Sequence, residues 1–289
     1  MAEALPFPPI PDPNDWETRI QLAILGASKL QGSDPVPGAG KVTEENGVPV
    51  QTLFNGIKVI PDSYYGDWVT RLIEGSGGYH EPQEEVVFAE ILRALDGLGP
   101  ASGQSMIELG CYWAYYSAWF LAARTGAKAY CLDSFPPALL AGQATMALNG
   151  VRGASFAHGA VGKVSFDALG PDGQPEKQLV PRVTVGDLMD QHGLSQLTIL
   201  HADIQGFEAL MLAEARDMLA AARIDYLVIS THSQDLHQEC LLAIKDHGYR
   251  IIAEHDLTQS YAFDGMIAAA RPGLDRPGPV PIPRRGPMG

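Results

Sequence analysis

The feature that most constrains this chain is a regular alternation between residues 104 and 270. Seven short runs, apolar at nearly every position, recur along it: SMIELG (105–110), KAYCLD (128–133), SFAHGAVG (155–162), LTILHADI (197–204), DYLVISTH (225–232), YRIIAEHD (249–256) and GMIAAA (265–270). A strand with one face in water alternates polar and apolar residues. Runs that are apolar throughout belong to strands covered on both faces. Helical stretches lie between them: AYYSAWFLAART, PPALLAGQATMALNG, FEALMLAEARDMLAAA and DLHQECLLAIKDHG. Strand and helix in alternation predict a mostly parallel sheet with helices on both faces, the doubly wound α/β class. No clear helix separates the last two runs, so they are expected to form an antiparallel pair at one edge.

The flanks read differently. Residues 16–30, 64–75 and 83–97 have apolar positions at helical spacing, and residues 49–61 read as two short strands around the turn Asn55-Gly56. Residues 1–97 are therefore expected to form an N-terminal extension and α+β cap, with a Pro-rich start over residues 1–14. Residues 98–270 form the main domain. Residues 271–289 are rich in Pro and Gly and form a flexible or extended tail. Hydrophobic residues make up 46% of the chain and charged residues 19%, a balance that permits a real core and argues against disorder.

The formal net charge is −14, which repels phosphate backbones and anionic lipids, so nucleic acid and membrane surfaces are poor partners. The one Arg-rich patch is Arg284-Arg285 in the tail. The cysteines, Cys111, Cys131 and Cys240, are odd in number and nowhere spaced as CxxC. That disfavours a disulfide framework or a cysteine zinc site and favours a reducing compartment. The N-terminus lacks a basic region followed by an apolar stretch, and no apolar run approaches the ~20 residues that cross a bilayer. A cytoplasmic protein, with homo-oligomerisation left open, is the expectation.

Open parallel sheets bind ligands beyond the carboxyl ends of their strands. The loop after the first run is Glu108-Leu109-Gly110-Cys111-Tyr112-Trp113-Ala114. Gly110 lets the backbone turn sharply and approach a ligand closely. Glu108 can order the loop or reach the charged amino-acid end of a cofactor. Tyr112 and Ala114 stand where a GxGxxG dinucleotide loop would carry glycines, which weakens an NAD or FAD reading. The second run ends in Asp133, about 25 residues on, near the ~20-residue step at which a carboxylate meets ribose hydroxyls. The alternative is that Asp133 caps the following helix. Ser134 follows at the same tip. The third run ends at His158-Gly159-Ala160, small enough to leave room for adenine, with the Ala160 amide as a donor. At the fourth tip His201 and Asp203 share one side of the strand, and two titratable groups there are expensive unless used or paired. The fifth tip brings His232, whose imidazole titrates near neutral pH and suits a general base.

Taken together these segments resemble the FkbM family of methyltransferases. IELGCYWAYYSAWF looks like the family's first cofactor motif, HADIQGFEALML like its KxDxEGxE segment, YAFDGMIAA like its final strand, and GYHEPQEEVVFAEIL like the segment before the first strand. The likeness spans roughly residues 50–270. It implies a class I (Rossmann-like) seven-stranded fold, S-adenosyl-L-methionine as methyl donor, and O-methylation of a hydroxyl on a small molecule, either a sugar (glycan) or a natural product. By position it implies that Glu108, Gly110, Tyr112 and Asp133 hold the cofactor and that Glu81 and Asp203 line the site. His201 replaces the family's usual Lys, and Gln205 its usual Glu. On this reading the acceptor oxygen is held in line with the methyl carbon, and His232 or His201 takes its proton. Tyr112 and Trp113 supply apolar walls and cation–π contact to the sulfonium.

Two rivals are distinct. In one, His201, Asp203 and His232 hold a divalent metal that orients the acceptor hydroxyl. In the other, the chain is a non-catalytic methyltransferase-like interaction subunit that docks through its Pro-rich ends.

Overall fold

The computed structural model describes residues 15–30, 34–169 and 175–286. The Pro-rich start read over residues 1–14 and the last three residues of the tail lie outside them. The chain opens with helix α1 (Trp16–Ser28), then a small antiparallel sheet of β1 (Val42–Glu45), β2 (Val48–Thr52) and β3 (Lys58–Val59), and helices α2 (Asp67–Gly75) and α3 (Pro82–Ala94). Next come β4 (Ser105–Leu109), α4 (Tyr115–Ala123), β5 (Lys128–Asp133), α5 (Pro136–Leu148) and β6 (Ala154–His158). A hairpin of β7 (Ser165–Leu169) and β8 (Pro175–Leu179) follows, then α6 (Val185–Gln191), β9 (Leu197–Ala202), α7 (Glu208–Glu214) and α8 (Arg216–Ala220). The chain ends through β10 (Ile224–Thr231), α9 (Gln234–Asp246), β11 (Arg250–His255), β12 (Gly265–Ala270) and the tail.

The seven apolar runs all become strands of one sheet, in the order β11-β12-β10-β9-β4-β5-β6. Neighbours from β10 through β6 are parallel. β4, β9, β10 and β12 are buried at every residue, which is why their sequences are apolar on both sides. β11 and β12 do pair antiparallel, with a register shift between Ile251 and Ala253. β12, however, inserts between β10 and β11 and is antiparallel to both, so β11 alone forms that edge. One face of the sheet packs against α1, α2, α3, α4 and α5, through residues such as Val87, Phe88, Ile91 and Phe120. The other packs against α6, α7, α8 and α9, through Leu188, Met211, Leu219 and Ile244.

Several local features correct the sequence reading. The stretch 207–222 is two helices broken at Ala215, not one. α6, fixed by a capping box between Thr184 and Asp187, was not foreseen, nor were β1 and the β7–β8 hairpin. The tail is extended rather than flexible over its described part. Val280 N–H donates to the Ile252 carbonyl at 2.9 Å, the Arg250 guanidinium donates to the carbonyls of Leu274 and Pro277, and Tyr226 Oη donates to that of Arg276. The buried Gln83 amide donates to the Pro283 carbonyl at 2.7 Å and so ties the tail to the start of α3. The tail covers the edge that β11 would otherwise expose. Among the described residues no helix is long and apolar enough to cross a membrane.

Candidate active site

Strand order reverses between β4 and β9, and the chain tips there enclose two adjoining cavities. The first, about 440 Å³, lies over the tips of β4, β5 and β6 and is lined by Gly110, Tyr112, Asp133, Ser134, Gly159, Ala160 and Val161, with Asp203, Ile204, Gln205 and Phe207 from the loop after β9. The second, about 480 Å³, lies over the tips of β9, β10 and β12. It is lined by Glu81, Asp203, His232 and Asp264, with His80 and Arg19 and aromatic walls from Trp16, Trp68, Tyr261 and Phe263. Tyr64, Tyr65, Asp203 and Gln205 belong to both linings and mark where the cavities meet.

Gly110 is what brings the tips together. Its φ is +73°, and a Cβ built there would stand 1.8 Å from the Asp203 carbonyl oxygen. Asp203 N–H in turn donates to the Leu109 carbonyl at 3.0 Å. No residue with a side chain fits that approach. Tyr112 (φ 38°) and Ala114 (φ 52°) take the left-handed conformation that glycines would supply in a dinucleotide loop, at a cost of about 1 kcal/mol each. The loop amides are already engaged. Those of Gly110 and Cys111 donate to the Leu132 carbonyl at 2.9 and 3.1 Å, and that of Tyr112 donates to Asp133 Oδ2 at 2.9 Å. They are not presented to a pyrophosphate.

Asp133 stands at the rim of the first cavity, at the end of β5. Its Oδ1 accepts from the Phe135 amide at 2.8 Å at the start of α5, while the residue lines the first cavity. Each oxygen keeps a lone pair for a hydroxyl donor. Burial raises its pKa. Glu108 lines neither cavity. It is 2% exposed and accepts from the Ser117 amide in the first turn of α4 at 2.9 Å. His158 Nε2 sits 3.0 Å from the Ser134 carbonyl oxygen and also lines neither cavity. Ala160 lines the first cavity, but its amide donates to the Pro181 carbonyl at 2.9 Å and is spent there. Glu81 lines the second cavity, not the first; burial, reinforced by Glu84, Asp203 and Asp264, pushes it well above the usual carboxylate range, and Tyr116 Oη donates to it at 3.2 Å. Trp113 is buried behind the wall, stacked on Tyr64 at 4.6 Å.

The two histidines part company. His201 is 3% exposed and points beneath the site to Glu84 of α3, with Nε2 2.8 Å from Oε1. Burial would lower its pKa, but the Glu84 bond and charge outweigh this and raise it. Ser230 Oγ donates to the other Glu84 oxygen at 2.9 Å, completing a buried pair that holds α3 onto β9 and β10. His201 therefore meets no acceptor. Nor does it converge with Asp203 and His232, and among the described residues no group of three or more His, Cys, Asp or Glu side chains is arranged to hold a metal ion.

His232 lines the second cavity between two carboxylates, with Nδ1 2.9 Å from Glu208 Oε1 and Nε2 3.0 Å from Asp203 Oδ1. Burial opposes its charge, but the bonds to Asp203 and Glu208 win and raise its pKa to about 11. The Gln205 amide nitrogen lies 2.8 Å from Nε2, which would suit a neutral ring. Two carboxylates outweigh one neutral dipole, and an amide can exchange its nitrogen and oxygen by rotation. His232 is therefore an imidazolium and cannot serve as the base expected of it. Asp203, bonded to that cation, is held below the usual carboxylate range despite its burial.

Asp264 was missed. It lines the second cavity with 24% of its side chain exposed, 3.7 Å from His232 Nε2 and without a hydrogen bond among the described residues. Burial, opposed by His232 and reinforced by Asp203, raises its pKa to about 6. The signal was the acid directly before GMIAAA. Because β12 runs antiparallel, its first residue stands at the edge where the parallel strands end. His80, also missed, is held neutral by burial at a pKa of about 4.

Sheet order and crevice define a doubly wound, Rossmann-like α/β fold, as the seven-run pattern predicts. No protein-family model matches the chain, and no curated protein does. Solved structures with similar folds include a precorrin methyltransferase from Geobacter metallireducens, at 13% identity over 64% of this chain and 86% of that one, with a TM-score of 0.40. Another is a SAM-dependent methyltransferase from Aquifex aeolicus, at 12% identity over 65% and 93%, with a TM-score of 0.37. A third is the magnesium protoporphyrin IX methyltransferase of Synechocystis with bound SAM, at 14% identity over 65% and 79%, with a TM-score of 0.40. At these values the fold rests on the strand order itself.

Proposed function

We propose that this protein is an S-adenosylmethionine-dependent O-methyltransferase of the FkbM type, acting on a hydroxyl of a small molecule or glycan in the cytoplasm. The observation that carries the reading is the pair of adjoining cavities. The one at the β4–β6 tips offers a carboxylate for ribose, small residues at Gly159 and Ala160, and a loop whose Gly110, Cys111 and Tyr112 amides are engaged within the protein. S-adenosylmethionine has a ribose diol and an adenine but no phosphate, so this donor set suits it, whereas NAD would find its pyrophosphate unmet. The second cavity, of a size that takes a small ligand, carries the titratable groups.

When bound, S-adenosylmethionine would supply an electrophilic methyl group for transfer to the acceptor oxygen, with the neutral thioether as leaving group. Asp133 holds the ribose diol. Asp203, fixed by His232 and Gln205, orients the acceptor at the meeting point of the cavities. The hydroxyl proton passes to Asp264, the carboxylate with no competing hydrogen bond, since a base with a pKa near the working pH is the efficient one. From the N-terminal part of the chain, Tyr64, Tyr65 and Glu81 contribute to the lining of the acceptor cavity.

The test is a calorimetric titration with S-adenosylhomocysteine and, separately, NAD. One-site binding of the first and none of the second is expected. NAD binding, or no binding of either, removes the reading.

A further inference from the structure

Three tyrosines stand together where the two cavities meet. Tyr64 meets Tyr112 edge-on at 4.5 Å between ring centroids and Tyr65 edge-on at 4.7 Å, and Tyr65 lies 5.2 Å from Tyr112. Tyr64 is backed by the stacked Trp113, which fixes its plane. Tyr64, Tyr65 and Tyr112 all line the first cavity, and Tyr64 and Tyr65 also line the second.

Two of the three sit on strained backbone. Tyr65 has φ 50° and Tyr112 φ 38°, conformations that cost a bulky residue and persist where the surroundings demand them. Tyr65 is nevertheless 59% exposed, so burial of its own ring does not account for that cost. Asp203 lines the same junction and raises the pKa of both Tyr64 and Tyr65, after burial, which places its charge close to both phenols and keeps the phenols neutral. Neutral aromatic faces beside a fixed carboxylate form an environment selective for a desolvated cation.

We propose that Tyr64, Tyr65 and Tyr112, with the Asp203 carboxylate, form a subsite for the sulfonium charge of the methyl donor, so that the protein binds S-adenosylmethionine more tightly than S-adenosylhomocysteine. The inference rests on the methyltransferase reading and gives the N-terminal segment a role in donor recognition. The neutral thioether of the product forfeits both attractions, so the same subsite that holds the donor favours release of the product.

Calorimetry with the full chain and two known ligands tests this without knowledge of the acceptor. The wild type is expected to bind S-adenosylmethionine about tenfold more tightly than S-adenosylhomocysteine, the scale of a desolvated cation–π contact. Tyr65→Leu, at an exposed position, and Tyr64→Leu should each bring that ratio toward one, chiefly by weakening the charged ligand. Tyr65→Phe, which keeps the ring, should preserve it. Equal affinities in the wild type, or an unchanged ratio in both leucine variants, overturns the subsite while leaving the methyltransferase reading intact. Failure of both ligands to bind the wild type overturns both.

Discussion

Removing the His232 imidazole leaves Asp203 and Glu208 facing each other without their shared cation. Breaking a buried pair in this way typically costs about 3–5 kcal/mol. His232→Ala should therefore unfold at markedly lower urea. The folded pKa of His232 is raised from 6.5 to about 11, so its stabilisation is complete below pH 6.5 and is lost as pH rises toward 11. The gap between wild type and variant should narrow over that window, and a pH-independent gap would contradict the double ion pair. Asp264 has the opposite sign. Its folded pKa is raised from 3.8 to about 6, so its charge costs stability once pH rises through that range. Asp264→Asn should be more stable than wild type at pH 7.5, by on the order of 1–2 kcal/mol, and no more stable near pH 3.5. Equal stability at both pH values would show that the carboxylate is not desolvated. At Gly110 the demand is steric. Gly110→Ala must move a Cβ away from the Asp203 carbonyl, and a loss of about 3 kcal/mol or more is expected by chemical denaturation, with loss of S-adenosylhomocysteine binding. The close approach at Gly110 and the place of Asp133 beside a cavity were legible in the sequence because each residue ends an apolar run. The charge of His232 was not, because it is set by Glu208 and Asp203, which only the fold brings to both sides of one ring.

At the scale of elements, α3 joins the N-terminal segment to the sheet. Pro82 starts it, and Gln83, Glu84 and Glu85 in its first turn are all buried. Glu85 is pushed up to about 8 by burial although it accepts from the His80 and Glu81 amides. Glu84→Ala would leave His201 and Ser230 without their buried partner and should cost about 1–3 kcal/mol in thermal or urea unfolding. Replacing both members, Glu84→Met with His201→Leu, should cost less than Glu84→Ala alone. If the double variant is the less stable, the pair does more than neutralise a buried charge. The helix itself was visible from its apolar spacing, which placed its start at residue 83 rather than at Pro82. That its acidic first turn faces inward was not, since three polar residues at a helix start ordinarily meet water. Likewise the β7–β8 hairpin and α6 lack the apolar runs that marked the sheet strands, and the tail's Pro content predicts extension without saying what it lies along.

The whole molecule follows from the seven runs: an apolar sheet covered on both faces, whose order reverses between β4 and β9 and opens a crevice at their tips. Its net charge of −14 is consistent with an acceptor that is neither nucleic acid nor membrane surface. In the proposed function the first cavity receives the methyl donor and the second the acceptor, and the two meet at Asp203 and Tyr65. A crystal structure of the complex with S-adenosylhomocysteine tests this most directly. The ribose is expected on Asp133, the adenine toward Ala160 and the sulfur at the junction, facing Asp264 across the second cavity. Density for the ligand elsewhere, or a ribose that does not touch Asp133, would contradict it.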